Sequence, residues 1–497
     1  MTTTLAKTRS GLLRGSSQNG VHVFKGVPYG ASTGGSRRFK PATPPAAWPG
    51  VRDALEYGPA CPQEATFMVG PEKLQSEDCC VLNVWTPELE RGRRPVLVWL
   101  HGGGFRIGSG ERLTRGALAR KQDVVVVTLN HRLNVFGMLY LAELCGPEYA
   151  DSGNVVMLDL VLALRWVRDN IAAFGGDPDN VTIFGESGGG RKVSTLLAMP
   201  SAQGLFHRAI VQSGSQLRIS EPARATAFAE RILGELAISP REPQRLHELG
   251  ATQLMAAYQK FTTAADDMTP LIDGRTLERH PFAPDAPALS VGIPMLIGSN
   301  RDENAFFLSR TEWQLDLAGL HERVARLFPA VRANEVVETF RALYPEASPG
   351  LLWAKLLTAR GYFLDSTLQA ERKAALGAAP AYLYQFDFVS PQRGGRLGAH
   401  HALEVPFVFD ELAASIAMVG EPNATAQHLA DTMSTTWAQF ARSGDPNHAG
   451  LPNWKPYDAA QRWTLVFDKV SELVADPRAA ERTLMLSFAP PTTPAAL

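Results

Sequence analysis

The stretch VTIFGESGGGRKV, residues 181–193, frames a serine with glycines after a run of apolar and β-branched residues. Gly185-Glu186-Ser187-Gly188-Gly189 satisfies the G-x-S-x-G spacing. A strand that turns sharply into a helix lifts such a serine into the open in a strained conformation. Only very small residues fit two positions to either side of it. The plain alternative is a solvated serine in a glycine-rich turn. The strand-like run before Ser187 and the helix-compatible stretch after it favour a nucleophile.

A nucleophilic serine needs a base, and the base needs a carboxylate to orient it. On this kind of turn the chain order is serine, acid, histidine. The pair His400 and His401 in LGAHHALEVPFVFD follows the strand-like AYLYQFDF, where a base at the top of a sheet would sit. The acid should end another strand, and MLIGSNRDENAFF offers Asp302 and Glu303. Acyl transfer also needs donors for the developing oxyanion. HGGGF, residues 101–105, follows the strand-like VLVWL, and its glycines let backbone N–H groups converge without interfering side chains. The N–H of Gly188 would add a further donor. A phosphate-cradling reading of HGGGF is weaker, because no Lys-Ser/Thr pair follows the glycines.

These residues need a scaffold. PVLVWL, DVVVVTL, NVTIFGE, HRAIVQ, IPMLIGS, AYLYQF and RWTLVF read as strands, and several are apolar throughout, as strands buried on both faces are. They alternate with helical patterns such as MLDLVLALRWVRDNIAAF. That rhythm predicts an α/β fold with a mostly parallel sheet covered by helices. Two regions break it, about 220–265 and about 310–378. Both are helical in pattern without strand runs and are expected to be insertions at the strand ends of one domain spanning 1–497, shaping a gorge.

The composition excludes several roles. The 497 residues are 45% hydrophobic and 20% charged, with a formal net charge of −1. This gives no electrostatic case for nucleic acid or an anionic membrane. MTTTLAKTRSGLLRG has no apolar stretch of signal-peptide length, and no run reaches the roughly 18 apolar residues of a membrane span. A cytoplasmic location is expected. Cys61, Cys79, Cys80 and Cys145 are too few for a disulfide scaffold, fit no zinc spacing, and are expected to be thiols. The tail APPTTPAAL reads as a frayed end.

Taken together, VFKGVPYG, SEDCCVLNVWTP, LVWLHGGGF, LNHRLNVFG, NVTIFGES, GLFHRAIVQSGS, GSNRDENAFF, HALEVPFVFD and FARSGDPN resemble the type-B carboxylesterases, the cholinesterase-like family. The similarity runs over nearly the whole chain and is greatest to the branch of bacterial para-nitrobenzyl esterases. The resemblance implies an α/β-hydrolase fold and a serine hydrolase that cleaves carboxylic esters of small molecules through an acyl-enzyme, with no metal or organic cofactor. It places the nucleophile at Ser187, the acid at Glu303 and the histidine at His401, the last through the pattern His-x-x-Glu-x-x-Phe-x-Phe. The oxyanion donors fall on Gly103, Gly104 and Gly188, although the family often has alanine at the last position. Ser213 matches a serine that supports the acid, and Glu186 an acidic residue of the pocket floor. Phe105 and Leu271 would be wall residues by motif adjacency.

Some features depart from the family. Asn304 stands where glycine is usual, and asparagine tolerates unusual backbone angles better than most residues. NVVMLDL, residues 154–160, lacks the usual glycine and glutamine, which suggests local repacking. Arg191 and Lys192 stand where small or uncharged residues are common. The plain reading pairs them with Glu77 or Asp78, while the sharper one makes Arg191 part of a basic wall for substrates bearing a carboxylate. The loop from Cys61 to Cys79 has no tryptophan and only Phe67 as an aromatic, which argues against a choline cage. Two further readings share the fold: a carbamate or activated-amide hydrolase with the same triad, and a non-catalytic binding protein. Monomer and homodimer are equally open.

Overall fold

In the computed structural model the described residues are 2–66, 70, 72–89, 92–111, 116–262 and 268–488. Phe67 and the tail from Ala489 lie outside them. The strands are β1 (Thr2–Lys7), β2 (Leu12–Gln18), β3 (Val21–Pro28), β4 (Val51–Asp53), β5 (Val81–Thr86), β6 (Arg94–Leu100) and β7 (Val125–Leu129), followed by β8 (Gly176–Glu186), β9 (Arg208–Gln212), β10 (Met295–Asn300), β11 (Ala381–Phe386), β12 (Trp463–Phe467) and β13 (Glu472–Ala475). They form one 13-stranded sheet in the order β1-β2-β3-β5-β7-β6-β8-β9-β10-β11-β12-β13, with β4 beside β2. From β7 to β12 every neighbouring pair is parallel. The N-terminal strands through β5 and the terminal β13 pair antiparallel along the main path.

The apolar runs explain the centre. On β6, Val96, Val98 and Leu100 face one core, with Val125, Val127, Val181, Ile183 and the helix Val155–Asn170. The alternate residues Leu97 and Trp99 face a second core, with Val126, Phe184, Ile210 and the helix Ala424–Ser443. Both sheet faces are therefore covered, as continuous apolar strands require. Each fully buried side chain of this kind contributes about 1.5–3 kcal/mol relative to exposure. Such layering leaves the carboxyl ends of the parallel strands as the place where loops can meet a ligand.

Helices Pro222–Glu235, Arg245–Glu248 and Ala251–Gln259 bury Phe228, Ile232, Leu254 and Tyr258 against Leu133, Phe136 and Leu139. Helices Leu317–Leu327, Ala333–Leu343 and Pro349–Thr358 form a separate cluster with Leu484 and Met485 of the helix Ala479–Leu486. Through a π-helical turn, Ala359–Phe363, the chain enters the helix Leu364–Ala374. Ala370 of that helix joins the main core, so this last segment covers the sheet. Among the described residues no helix is long and apolar enough to cross a membrane.

Candidate active site

Strand β8 ends at Glu186, and the helix Gly188–Leu196 begins two residues later. Ser187 alone makes the turn, at φ 56° and ψ −123°. Its N–H donates to Gln212 O at 2.9 Å, and its carbonyl accepts from Arg191 N at 3.0 Å. The glycine framework has a steric cause. A Cβ on Gly185 would lie 2.6 Å from Leu100 O, and one on Gly189 would lie 1.9 Å from the same oxygen. No side chain fits either position.

Strand β10 delivers the acid and the loop after β11 delivers the base. His401 Nδ1 is 2.6 Å from Glu303 Oε2, across 98 residues of sequence. The other carboxylate oxygen of Glu303 accepts from Asn300 N at 2.7 Å. Both side chains are buried. Asp302 is committed elsewhere: it accepts from Lys355 Nζ at 2.8 Å and from Ala399 N at 3.1 Å. His400 points its Nδ1 at the carbonyl of His401 and stacks on Phe306. Of the pairs left open by the sequence alone, geometry joins Glu303 with His401.

The opposite edge of the imidazole faces the serine turn. His401 Nε2 is 3.1 Å from Glu186 Oε1, on the residue just before Ser187. Burial pushes the Glu186 carboxyl well above the usual carboxylate range. Burial alone would lower His401, but the nearby carboxylates of Glu186 and Glu303 outweigh it and raise the imidazole above its ordinary value. Glu404, three residues after His401, is pushed up to about 7 by burial and by Glu303. Its carboxyl accepts from Gln212 Nε2 at 3.1 Å and Asn300 Nδ2 at 2.7 Å, which ties the histidine loop to the ends of β9 and β10.

The glycine run lies against the serine turn, with Gly102 close to Glu186 and Ser187. A Cβ on Gly188 would be 2.4 Å from Gly104 N, so the two backbones touch. Gly103 and Gly104 have φ of 92° and 58°, the region glycine enters at little cost. Among the described residues no acceptor takes the N–H of either one. Gly188 opens its helix, where an N–H has no intrahelical partner. Gly104 and Gly188 thus lie side by side, and the N–H groups of Gly103 and Gly104 take no acceptor among the described residues.

Several expectations need correction. Glu77 is engaged by Arg38, leaving it no part in pairing Arg191 or Lys192. Arg191 instead acts on Asp365, whose carboxyl burial raises to about 7 against the pull of Arg191 and other arginines. Lys192 is wholly buried, donates to His101 O at 2.8 Å and lies 5.3 Å from the Phe105 ring centroid. Phe105 is fully buried within the main core, and Leu271 packs against Gly153, so neither forms an open pocket wall. The rings beside His401 are Phe307 at 4.9 Å and Tyr362 at 5.0 Å, which the motifs did not single out. Ser213 Oγ is buried without a hydrogen-bond partner, so the support expected of it for Glu303 comes from the Asn300 N–H. Asn304 is the second residue of the 3-10 turn Glu303–Phe306 and needs no left-handed angle. Asn154 of the departing NVVMLDL segment binds Leu271, Asp273 and Thr276, and so anchors a loop. All four cysteines are free thiols.

The model of the carboxylesterase family matches residues 2–482. The chain belongs to that family. It is 36% identical to the para-nitrobenzyl esterase of Bacillus subtilis (strain 168), covering 97% of this chain and 98% of that one. It is 34% identical to the phenmedipham hydrolase of Pseudarthrobacter oxydans, over 96% and 97% of the two chains. The crystal structure of a Geobacillus stearothermophilus carboxylesterase superposes with a TM-score of 0.87 at 40% identity, covering 97% of this chain and 99% of that chain. The α/β-hydrolase fold follows, and the carboxylesterase described here is a serine-type hydrolase of carboxylic esters.

Proposed function

We propose that Ser187, His401 and Glu303 form the catalytic triad and that Gly103, Gly104 and Gly188 bind the oxyanion. The observation that carries this reading is His401, held by Glu303 through Nδ1 while Nε2 faces the turn bearing Ser187. As Ser187 Oγ attacks the ester carbonyl, its proton passes to His401 Nε2. Glu303 fixes the tautomer and stabilises the imidazolium. The carbonyl electron pair moves onto oxygen, where the glycine N–H groups meet it. Collapse of the adduct expels the alcohol, which takes the proton from His401. Water, deprotonated by His401, then releases the acid and regenerates Ser187.

The preferred substrates are small esters with an aromatic group. Phe307 and Tyr362 flank His401, and one relative carries the name para-nitrobenzyl esterase. The enzyme works in the cytoplasm, in keeping with its four free thiols. Burst kinetics with para-nitrophenyl butyrate test the triad. Wild type should release one equivalent of nitrophenol rapidly, and Ser187→Ala should lose the burst together with about a millionfold in turnover. A burst surviving in the variant would refute the assignment.

A further inference from the structure

Lys192 is a buried cationic side chain for which the mechanism above has no use. None of its surface reaches solvent, and burial pushes its amine down to about 7. Among the described residues no carboxylate pairs with it. Its surroundings are neutral: the Phe105 ring and the stacked imidazoles of His101 and His131, 4.7 Å apart at an interplanar angle of 4°. Both imidazoles are held well below their ordinary value by burial and by Lys192 itself. A lysine so placed costs stability unless its nitrogen does something there.

What it does is hold a carbonyl. Lys192 lies five residues after Ser187, and its Nζ donates to His101 O, the first carbonyl of the glycine run. The next two carbonyls are also taken. Gly102 O meets His101 Nδ1 at 2.8 Å, and Gly103 O accepts from Arg106 N at 2.9 Å and Ile107 N at 3.1 Å. In a trans peptide the N–H points opposite to the carbonyl of the same unit. The two carbonyls held from within the loop therefore aim the N–H groups of Gly103 and Gly104, while the carbonyl held by Lys192 fixes the His101–Gly102 peptide, the anchor from which both donor peptides follow. That third hold comes from the helix that carries the nucleophile.

We infer that Lys192 is a positioning residue for the oxyanion donors, tying the glycine run to the helix of Ser187 through the carbonyl of His101. The inference rests on the triad and oxyanion assignment proposed above. Its effect belongs to the transition state, because the donors must meet the oxygen once it carries charge.

The test compares wild type with Lys192→Met, which keeps the volume and removes the donor, and with Lys192→Gln, which is shorter by one atom and keeps a donor. Stoichiometric labelling of Ser187 by a fluorophosphonate first counts folded sites; failure to label wild type would sink the triad reading and this inference with it, whereas the outcomes below, on labelled enzyme, bear on Lys192 alone. For labelled enzyme, Lys192→Met should lose about 10–100-fold in kcat with KM within about twofold. A trifluoromethyl ketone adds Ser187 Oγ to its carbonyl carbon, sends the serine proton to His401 and leaves an alkoxide in the oxyanion site. Its inhibition constant should rise by the same factor in Lys192→Met and by less in Lys192→Gln. Unchanged kcat in Lys192→Met overturns the inference, and so does lost kcat with unchanged ketone affinity. If neither variant folds, Lys192 serves the fold and the inference is again overturned.

Discussion

The two flanks of Ser187 are built from opposite chemistry. On one, Glu186, Glu303 and Glu404 crowd a single imidazole. On the other, the backbone of Gly104 lies against that of Gly188, and the amine of Lys192 holds the carbonyl of His101 at the start of the glycine run. Charge separation across the serine is what acylation creates, an imidazolium on one side and an oxyanion on the other. In the mechanism proposed, the protein presents a preorganised field for each product before the reaction begins. The acid–base flank is made from side chains on loops far apart in sequence. The proposed oxyanion flank is made mostly of backbone, and a Cβ on Gly103 would lie 2.2 Å from Ile107 O and one on Gly188 2.4 Å from Gly104 N.

The largest break in this symmetry should come from Glu303→Gln. An amide can still bond Nδ1, but it cannot stabilise the imidazolium and can favour the wrong tautomer. The expected loss in kcat is about 10⁴-fold, with a folded protein by circular dichroism. A loss under about tenfold would move the acid role to another residue.

Gly188→Ala attacks the other flank. The added methyl would sit 2.4 Å from Gly104 N, a backbone atom that cannot swing aside. The run must retreat, and its donors with it. A kcat loss of roughly 10–100-fold with little change in KM is expected, read by steady-state kinetics. Relatives often carry alanine here, so unimpaired activity would mean that the run in this enzyme gives way as easily as theirs.

Much of this was legible because it is local. The central strands are continuous apolar runs, and the G-x-S-x-G and HGGGF segments carry their own steric logic. The antiparallel strands before β6 were not legible. LLRGSSQ of β2 is half-buried, short of apolar residues and contains a glycine, so its pairing with β1 and β3 decides its state. Burial partners distant in sequence were equally hidden. Lys192 meets His101 across 91 residues, and Arg191 acts on Asp365 from another helix. Glu77, the nearer candidate in the motif order, had already been claimed by Arg38. Phe307 reaches His401 from the turn after β10, inside the GSNRDENAFF motif where only the acids were singled out, and Tyr362 reaches it from the π-helical turn, which shows no pattern in the sequence.

Glu186→Gln tests how the acidic flank tunes the base. Catalysis needs neutral His401, so activity is present above the folded pKa and is lost as pH falls through it. Neighbouring carboxylates raise that pKa, so the acid limb of kcat/KM should lie above the ordinary value of about 6.5 for histidine. An isosteric amide at position 186 keeps the contact to Nε2 and removes one source of the rise, the carboxylate charge. The limb should move to lower pH by about one unit. A limb that stays fixed, or moves up, would show that Glu186 is uncharged whenever His401 titrates.

The smallest effect is expected at Ser213, and it discriminates between family pattern and geometry. The pattern gives this serine a part in supporting the acid. Here its N–H bonds Gly298 O at 2.8 Å, while its Oγ is buried and bonds nothing. Glu303 has both oxygens satisfied, one by the Asn300 N–H and one by His401. Removing a buried hydroxyl that has no partner relieves a desolvation cost of about 1–3 kcal/mol against the loss of a little packing. Ser213→Ala should therefore keep kcat within about threefold and leave Tm unchanged or higher. A kcat loss near that of Glu303→Gln would mean that the hydroxyl rotates onto the acid during turnover, making the support of Glu303 a feature of the transition state.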